Sequence, residues 1–175
     1  MADVSHVITQ GLGTPGAIPQ FILLGLSPGG VLPVVPAPDS SDIDNALIAK
    51  LGADSTLLAL CPNGVYWDEA PPGATRFVIV SLAEEADEAV FGGRAFEDAL
   101  YSVEARMLST AGGDIKAAAA RIDALLDEQT LTATGYTWMT MHREGRIRQT
   151  EVDEVDPAIR WYRRGGNYRV EMALT

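Results

Sequence analysis

Cysteine is almost missing from this sequence, which has Cys61 alone, and histidine is nearly as scarce, with His6 and His142. A single cysteine excludes an intramolecular disulfide, and nothing points to an oxidising compartment. Three such residues scattered along the chain offer no metal-ligand spacing. Basic residues are few as well: 13 lysines and arginines face 24 acidic residues, for a net charge of −11. Binding a phosphate backbone as the main task needs a clustered basic face, so this balance argues against it. An acidic wall past which a duplex slides without sticking remains compatible with the charge. Long apolar runs are missing too. The longest, FILLGL, falls far short of the roughly 20 residues of a membrane helix, and no basic residue precedes it as a signal peptide requires. These absences predict a chain without metal or cofactor that is made and used in the cytoplasm.

What the N-terminal segment does contain is proline and glycine. Residues 1–38 hold six of the ten prolines, six glycines, one acidic residue (Asp3) and no lysine or arginine. Within it, GLGTPG at residues 11–16 matches the spacing of a dinucleotide-binding loop. That chemistry needs a strand before the glycines and a helix opening inside them, so that a pyrophosphate sits on the helix N-terminus. Pro19 falls a turn into the required helix, where it removes a donor and clashes with the preceding turn. The acids some 20 positions on, Asp39 and Asp42, stand in a Pro/Ser/Asp hinge rather than at a strand end. A nucleotide site is therefore not expected. Proline every few residues also forbids a helix and disfavours a central strand, yet the segment is too apolar for a solvated linker. An extended arm whose Ile18, Phe21, Ile22 and Leu24 dock on a neighbouring subunit resolves the conflict; folding back on its own domain is the alternative. Fully stretched, 38 residues reach on the order of 100 Å.

Residues 39–175 read as one compact domain, a size that buries a substantial core. The run SDID sets Ser41 as an N-cap with an acid three residues on, and Ile43, Ala46, Leu47 and Leu51 follow at helical spacing. LLALCPNG ends in a turn, and VYWDEAPPG leads into RFVIVSL, which is β-branched and aromatic. GGDIKAAAARIDALLDE is the clearest helix, with Asp114 as cap and Ile115, Ala119, Ile122, Leu125 and Leu126 along one face. Residues 94–109 fit helical spacing and strand alternation equally. TLTATGYTWMTMHREG and RIRQTEVDEV follow, and the closing AIRWYRRGGNYRVEMAL reads as two strands around Gly165-Gly166-Asn167. The order of helix, strands, helix, strands predicts an α+β domain with a largely antiparallel sheet and two main helices.

Residues with chemical potential are sparse. Cys61, before Pro62, is most simply a small core residue, and His142 beside Arg143 and Glu144 is a surface residue at a strand end. No serine stands in a nucleophile motif. The acidic runs EEADEA and EVDEVD read as solvated loop faces. An arginine group, Arg143, Arg146, Arg148, Arg160, Arg163, Arg164 and Arg169, is interleaved with Trp161, Tyr162 and Tyr168. Strand alternation scatters these over both faces, so pairing with acids between strands or between subunits is the expected use. Candidates for inter-subunit pairing are Arg146, Arg148, Arg163 and Arg164 with Glu151 and Asp153. No catalytic residue is expected.

The ordered set from ARIDALLD through GYT and an arginine-rich strand to YRRGGNYRV resembles the tail terminator (tail completion) proteins of long-tailed bacteriophages. VYWDEAPPGATRFVIVSL is similar to that family's first strand pair, with Arg76 where proline is common. The resemblance spans roughly residues 42–175 and tips residues 94–109 toward a long strand. It implies a structural virion protein: a six-subunit ring at the head-proximal end of the tail tube that stops tube polymerisation. It further implies tail tube protein on one side, a neck protein on the other, and DNA passing through the lumen without specific binding. A head-closure or adaptor protein of the neck is the nearest alternative, and a small acidic enzyme or binding domain the more distant one.

Overall fold

A computed structural model of the chain describes residues 40–90, 93–108, 113–152 and 156–175. The expectations for the N-terminal arm (Ile18, Phe21, Ile22 and Leu24 included), for GLGTPG, for His6 and for Asp153 lie outside the described residues.

Two helices come first, α1 (Ser41–Gly52) and α2 (Ser55–Leu60). Strands β1 (Val65–Trp67), β2 (Arg76–Val90) and β3 (Gly93–Leu108) follow, then α3 (Asp114–Leu126), β4 (Tyr136–Val152) and β5 (Arg160–Leu174). The strands form one sheet in the order β1-β2-β3-β5-β4, antiparallel throughout except for the short parallel pair β1/β2. The fold is α+β with a mostly antiparallel sheet. Residues 94–108, which fitted two periodicities, belong to a strand because both of their neighbours, β2 and β5, supply a ladder along them.

Strand alternation sorts the sheet into two faces. Val78 and Val80 of β2, Tyr101, Val103 and Met107 of β3, and Tyr168, Val170 and Met172 of β5 share one core with the helices. Ile43, Leu47 and Leu51 of α1, Leu57 of α2 and Ile115, Ala118, Ile122 and Leu126 of α3 cover this inner face. Ala118 takes the buried position expected of Ala119, which lies half-buried. Cys61 is fully buried in the same core, as its apolar context implied, and burial pushes its thiol up to about 11. Two tyrosines turn their hydroxyls to helix carboxylates: Tyr101 donates to Asp44 at 2.7 Å and Tyr168 to Asp123 at 3.2 Å. Each ring thereby fills the core while its polar end is satisfied.

Helix starts differ from the sequence reading by one residue. Ser40, not Ser41, is the N-cap of α1, and its side chain makes no cap hydrogen bond; Asp44 serves Tyr101 instead. Gly113 rather than Asp114 caps α3, and Asp114 reaches Arg76 at 3.0 Å. The LLALCPNG run begins as α2, capped by Asp54, whose carboxylate accepts from the Leu57 backbone N–H at 2.7 Å. Arg121 of α3 grips the same carboxylate. These contacts hold Asp54 down at about 2, with Arg121 the larger cause. Arg76 has its backbone N–H bonded to Asn63 Oδ1 at 2.9 Å, a donation that proline cannot make.

The closing segment is the main correction. Arg160–Leu174 is one continuous strand, and Gly165-Gly166-Asn167 lies in its middle, paired with β3 on one side and β4 on the other. The glycines serve close approach rather than a turn. A Cβ on Gly165 would stand 1.9 Å from the Val103 carbonyl oxygen, and one on Gly166 would stand 2.8 Å from the Gly145 oxygen. The run EEADEA is likewise strand, not loop: residues 84–88 pair with β3 along β2.

Candidate functional site

The outer face of the sheet carries, beside buried Phe77 and Ile79, the charged residues that the inner face lacks at its core. Glu104 of β3, 2% exposed, accepts from Arg106 Nε at 2.8 Å and from Arg163 Nε at 3.0 Å, and Arg163 continues to Glu151 of β4. The Glu104 carboxylate, with Glu151 behind it, raises the affinity of Arg163 for its proton. A second bridge centres on Arg169 of β5. It donates to Asp98 of β3 at 2.7 Å, pairs with Glu144 of β4 and comes within 3.8 Å of Glu84 on β2. Each arginine thus ties at least three strands together. Pairs set among several fixed partners contribute more than isolated surface pairs.

Arg163 and Glu151, expected to pair between subunits, find each other inside one chain. Their alternation parity placed them on the same face of adjacent strands, which sequence alone did not connect. Arg169 and Glu104 were missed as organising residues. The signal was available only in register, because their partners are 71 and 59 positions away.

Arg146, Arg148 and Arg164 behave differently. They lie on the inner side, in the rows Val103–Gly166–Arg146 and Ala105–Arg164–Arg148. There, beyond the core, α3 and the β4/β5 pair enclose a groove of about 350 Å³. Lys116 on α3 joins the three arginines in lining it. Arg143 also lines it, but is held by Asp123 of α3, the largest cause of its raised pKa. Among the described residues, none of Lys116, Arg146, Arg148 and Arg164 forms an ion pair with a carboxylate. On a chain of net charge −11, a cluster of cations with no ion pair among the described residues suits an acidic partner.

The sheet also has two open edges among the described residues. Among the described residues, β1 pairs with Val78–Val80 of β2, and no strand lies along the outer side of β2 from Ser81 onward. That half carries exposed Glu84, Glu85 and Asp87. Glu85 and Asp87, with the fully buried Glu97 of β3, bring carboxylate oxygens within 4.8 Å of one another. On β4, the turn after α3 covers the first half of the outer edge: the Glu128 N–H donates to the Met141 carbonyl and the Arg143 N–H to Asp127. From Glu144 onward that edge has no partner among the described residues.

His142 is half-buried in the middle of β4, opposite Arg169, rather than at a strand end, and Cys61 sits in the core beneath the helices. The structure does not bring the two together.

No protein-family model matches the chain, and no curated protein sequence does. Among solved structures, a chain in the virion of the native gene transfer agent (GTA) particle shares the fold. The TM-score is 0.55 at 24% identity, covering 77% of this chain and 96% of that one. A second solved chain aligns with a TM-score of 0.48 at 17% identity, over 75% of this chain and 95% of its own.

Proposed function

We propose that this chain is a structural protein of a phage-like virion, forming a closed ring of six copies at the head-proximal end of the tail tube. There the ring stops tube polymerisation and offers the surface on which the neck and head join. The observation that carries this reading is the fold, which a chain of the gene transfer agent virion shares over 96% of its length. The ordered strand and helix motifs of residues 42–175, which resemble tail terminator proteins, support the finer placement. In a ring each copy meets two identical neighbours through different patches, and rotation closes the set. The net charge of −11 suits a lumen through which DNA passes without sticking. The chemistry is binding complementarity, with no covalent step. The N-terminal arm, residues 1–38, is proposed to dock through Ile18, Phe21, Ile22 and Leu24 on a neighbouring copy or adjoining ring.

The test is genetic and structural together. Particles lacking this chain should accumulate filled heads beside unjoined tails of irregular length. Tails of normal length that merely fail to join would favour a neck adaptor, and intact infectious particles would refute a structural role.

A further inference from the structure

We infer that the open edge of β4, together with the basic groove beside it, takes an extended acidic segment of a partner protein as an added strand. The contact serves a single copy as well as a ring. Arg148 of β4 and Arg164 of β5 face each other directly across the ladder, on the inner side of the sheet. Like charges set directly opposite destabilise a strand pair. Arg146 lies two residues along the same face of β4, and Lys116 of α3 lines the same groove. Among the described residues, none of the four forms an ion pair with a carboxylate.

The outer face shows how this sheet settles such a pair when it carries the acid itself. Arg106 of β3 and Arg163 of β5 also face each other directly. Both donate to the Glu104 carboxylate, at 2.8 Å and 3.0 Å from their Nε atoms. The inner pair Arg148–Arg164 has no such acid among the described residues. Asp123 is the one carboxylate lining the groove, and it is engaged by Arg143 and by the Tyr168 hydroxyl. The nearby acids of β4 are engaged as well, Glu144 by Arg169 and Glu151 by Arg163. The acid that completes the inner cluster is the partner's.

The shape of the site calls for a strand. β4 is an edge strand, and past the irregularity at Arg143/Gly145 its ladder with β5 runs unbroken to Val152↔Arg160. The far side of residues 145–152 therefore offers a regular backbone edge with no partner among the described residues. A segment laid along such an edge gains main-chain hydrogen bonds, and its alternate side chains supply specificity. Arg146 and Arg148 stand about 7 Å apart along the strand, the spacing of alternate side chains in any extended chain. Ile147 between them turns to the outer face, in the row of Gly165 and Glu104. The segment that fits thus reads acid–apolar–acid, its two carboxylates meeting Arg146 and Arg148 and its apolar side chain meeting Ile147. Arg164 and Lys116 add their charge from across the groove. Carboxylates two residues apart on a helix would not share a face. A nucleic acid has no use for the backbone edge, and the net charge of −11 repels it.

Binding of a synthetic peptide to the full-length chain tests the contact. The probe is a short fluorescein-labelled peptide with Glu-Val-Glu at its centre and threonines on either side; the control has the same composition with its two glutamates adjacent. Fluorescence anisotropy should show the Glu-Val-Glu peptide bound at low salt and released as salt rises. The control peptide should bind at least tenfold more weakly, and so should the probe to the variant Arg146→Glu with Arg148→Glu. That variant should melt no lower than wild type, because reversing the charge relieves the facing pair with Arg164. The neutral variant Arg146→Gln with Arg148→Gln should weaken binding at least threefold. In the complex, amide hydrogen exchange across 145–152 should slow, the signature of an added strand. No binding by wild type, equal binding of the control peptide, or binding without slowed exchange at 145–152 overturns the inference. Labelled duplex DNA held by wild type and released by the Arg146→Glu and Arg148→Glu changes, without peptide binding, would make the groove a nucleic-acid surface. Self-association of wild type lost with the same changes, again without peptide binding, would make it an interface between copies. Either result also overturns the inference, and none of these outcomes bears on the ring, which is read in the particle neck.

Discussion

Replacing Gly165 by alanine sets an added methyl directly against the backbone of the facing strand. The added Cβ would lie 1.9 Å from the Val103 carbonyl oxygen, 2.7 Å from Glu104 Cα and 2.9 Å from the Val103 carbonyl carbon. All three are backbone atoms of β3, so no side-chain rotation relieves the overlap. Restoring ordinary contact means parting β3 and β5 by about 1.5 Å at the middle of the sheet. Overpacking of this kind costs roughly 1–3 kcal/mol, and loosening two ladder hydrogen bonds adds about 1 kcal/mol each. The expected loss is about 3–5 kcal/mol, near the upper limit for point changes. At ~2–4 °C per kcal/mol for a chain of this size, the melting temperature falls by roughly 6–20 °C. Gly166→Ala should cost less, because the closest atoms besides the Gly145 oxygen belong to the movable Arg143 side chain. Gly52→Ala, where nothing lies within 4 Å, should be neutral or stabilising by up to about 1 kcal/mol. Denaturant titration of the three variants checks the order. Gly165→Ala within 1 kcal/mol of wild type would refute the close approach, and with it the single-strand reading of Arg160–Leu174.

Arg163→Met should destabilise by about 2–3 kcal/mol, since it removes one of two cations from buried Glu104, and Glu104→Met in the same chain should recover most of the loss; urea titration of both variants measures it. Asp54 is held at about 2, so its contribution is full above the ordinary carboxylate pKa near 4 and fades as pH falls toward 2. Asp54→Asn should therefore be less stable than wild type at pH 7, with the gap closing between pH 4 and 2 in chemical denaturation; a pH-independent gap would contradict the assignment. Cys61, buried and pushed up to about 11, should resist a thiol reagent at pH 8 until the protein unfolds. Deleting residues 2–38 should leave a soluble domain with near-normal melting while heads and tails fail to join. An insoluble or unfolded truncation would mean that the arm belongs to the domain core.

Helices α1 and α3 and the first half of β2 were legible because local pattern and tertiary role agree. Ile43, Leu47 and Leu51 recur at helical spacing and all face the core. Asp114-to-Leu126 likewise shows its buried stripe, with Ala118 in place of Ala119 because a helix face is wider than one row. Two features misled. Gly-Gly-Asn is strong turn chemistry when only neighbours in sequence are visible, and its use for close strand approach depends on Val103 and Gly145, which lie 62 and 21 positions away from the glycines they crowd. EEADEA looked like a solvated loop because charge runs usually are; here the strand is imposed by its long pairing with β3. For the charged surfaces, the sequence supplied the right arginines but not their division. Register separates Arg163 and Arg169, which tie the outer face together, from Arg146, Arg148 and Arg164, which line the groove on the inner side.

Electron cryomicroscopy of the particle neck tests the central claim most directly. The account predicts a closed ring of six copies of this fold, seated between the last tail-tube ring and the neck, with DNA in an acidic lumen. A single copy per particle, an open array, or a position away from the head–tail junction would contradict it.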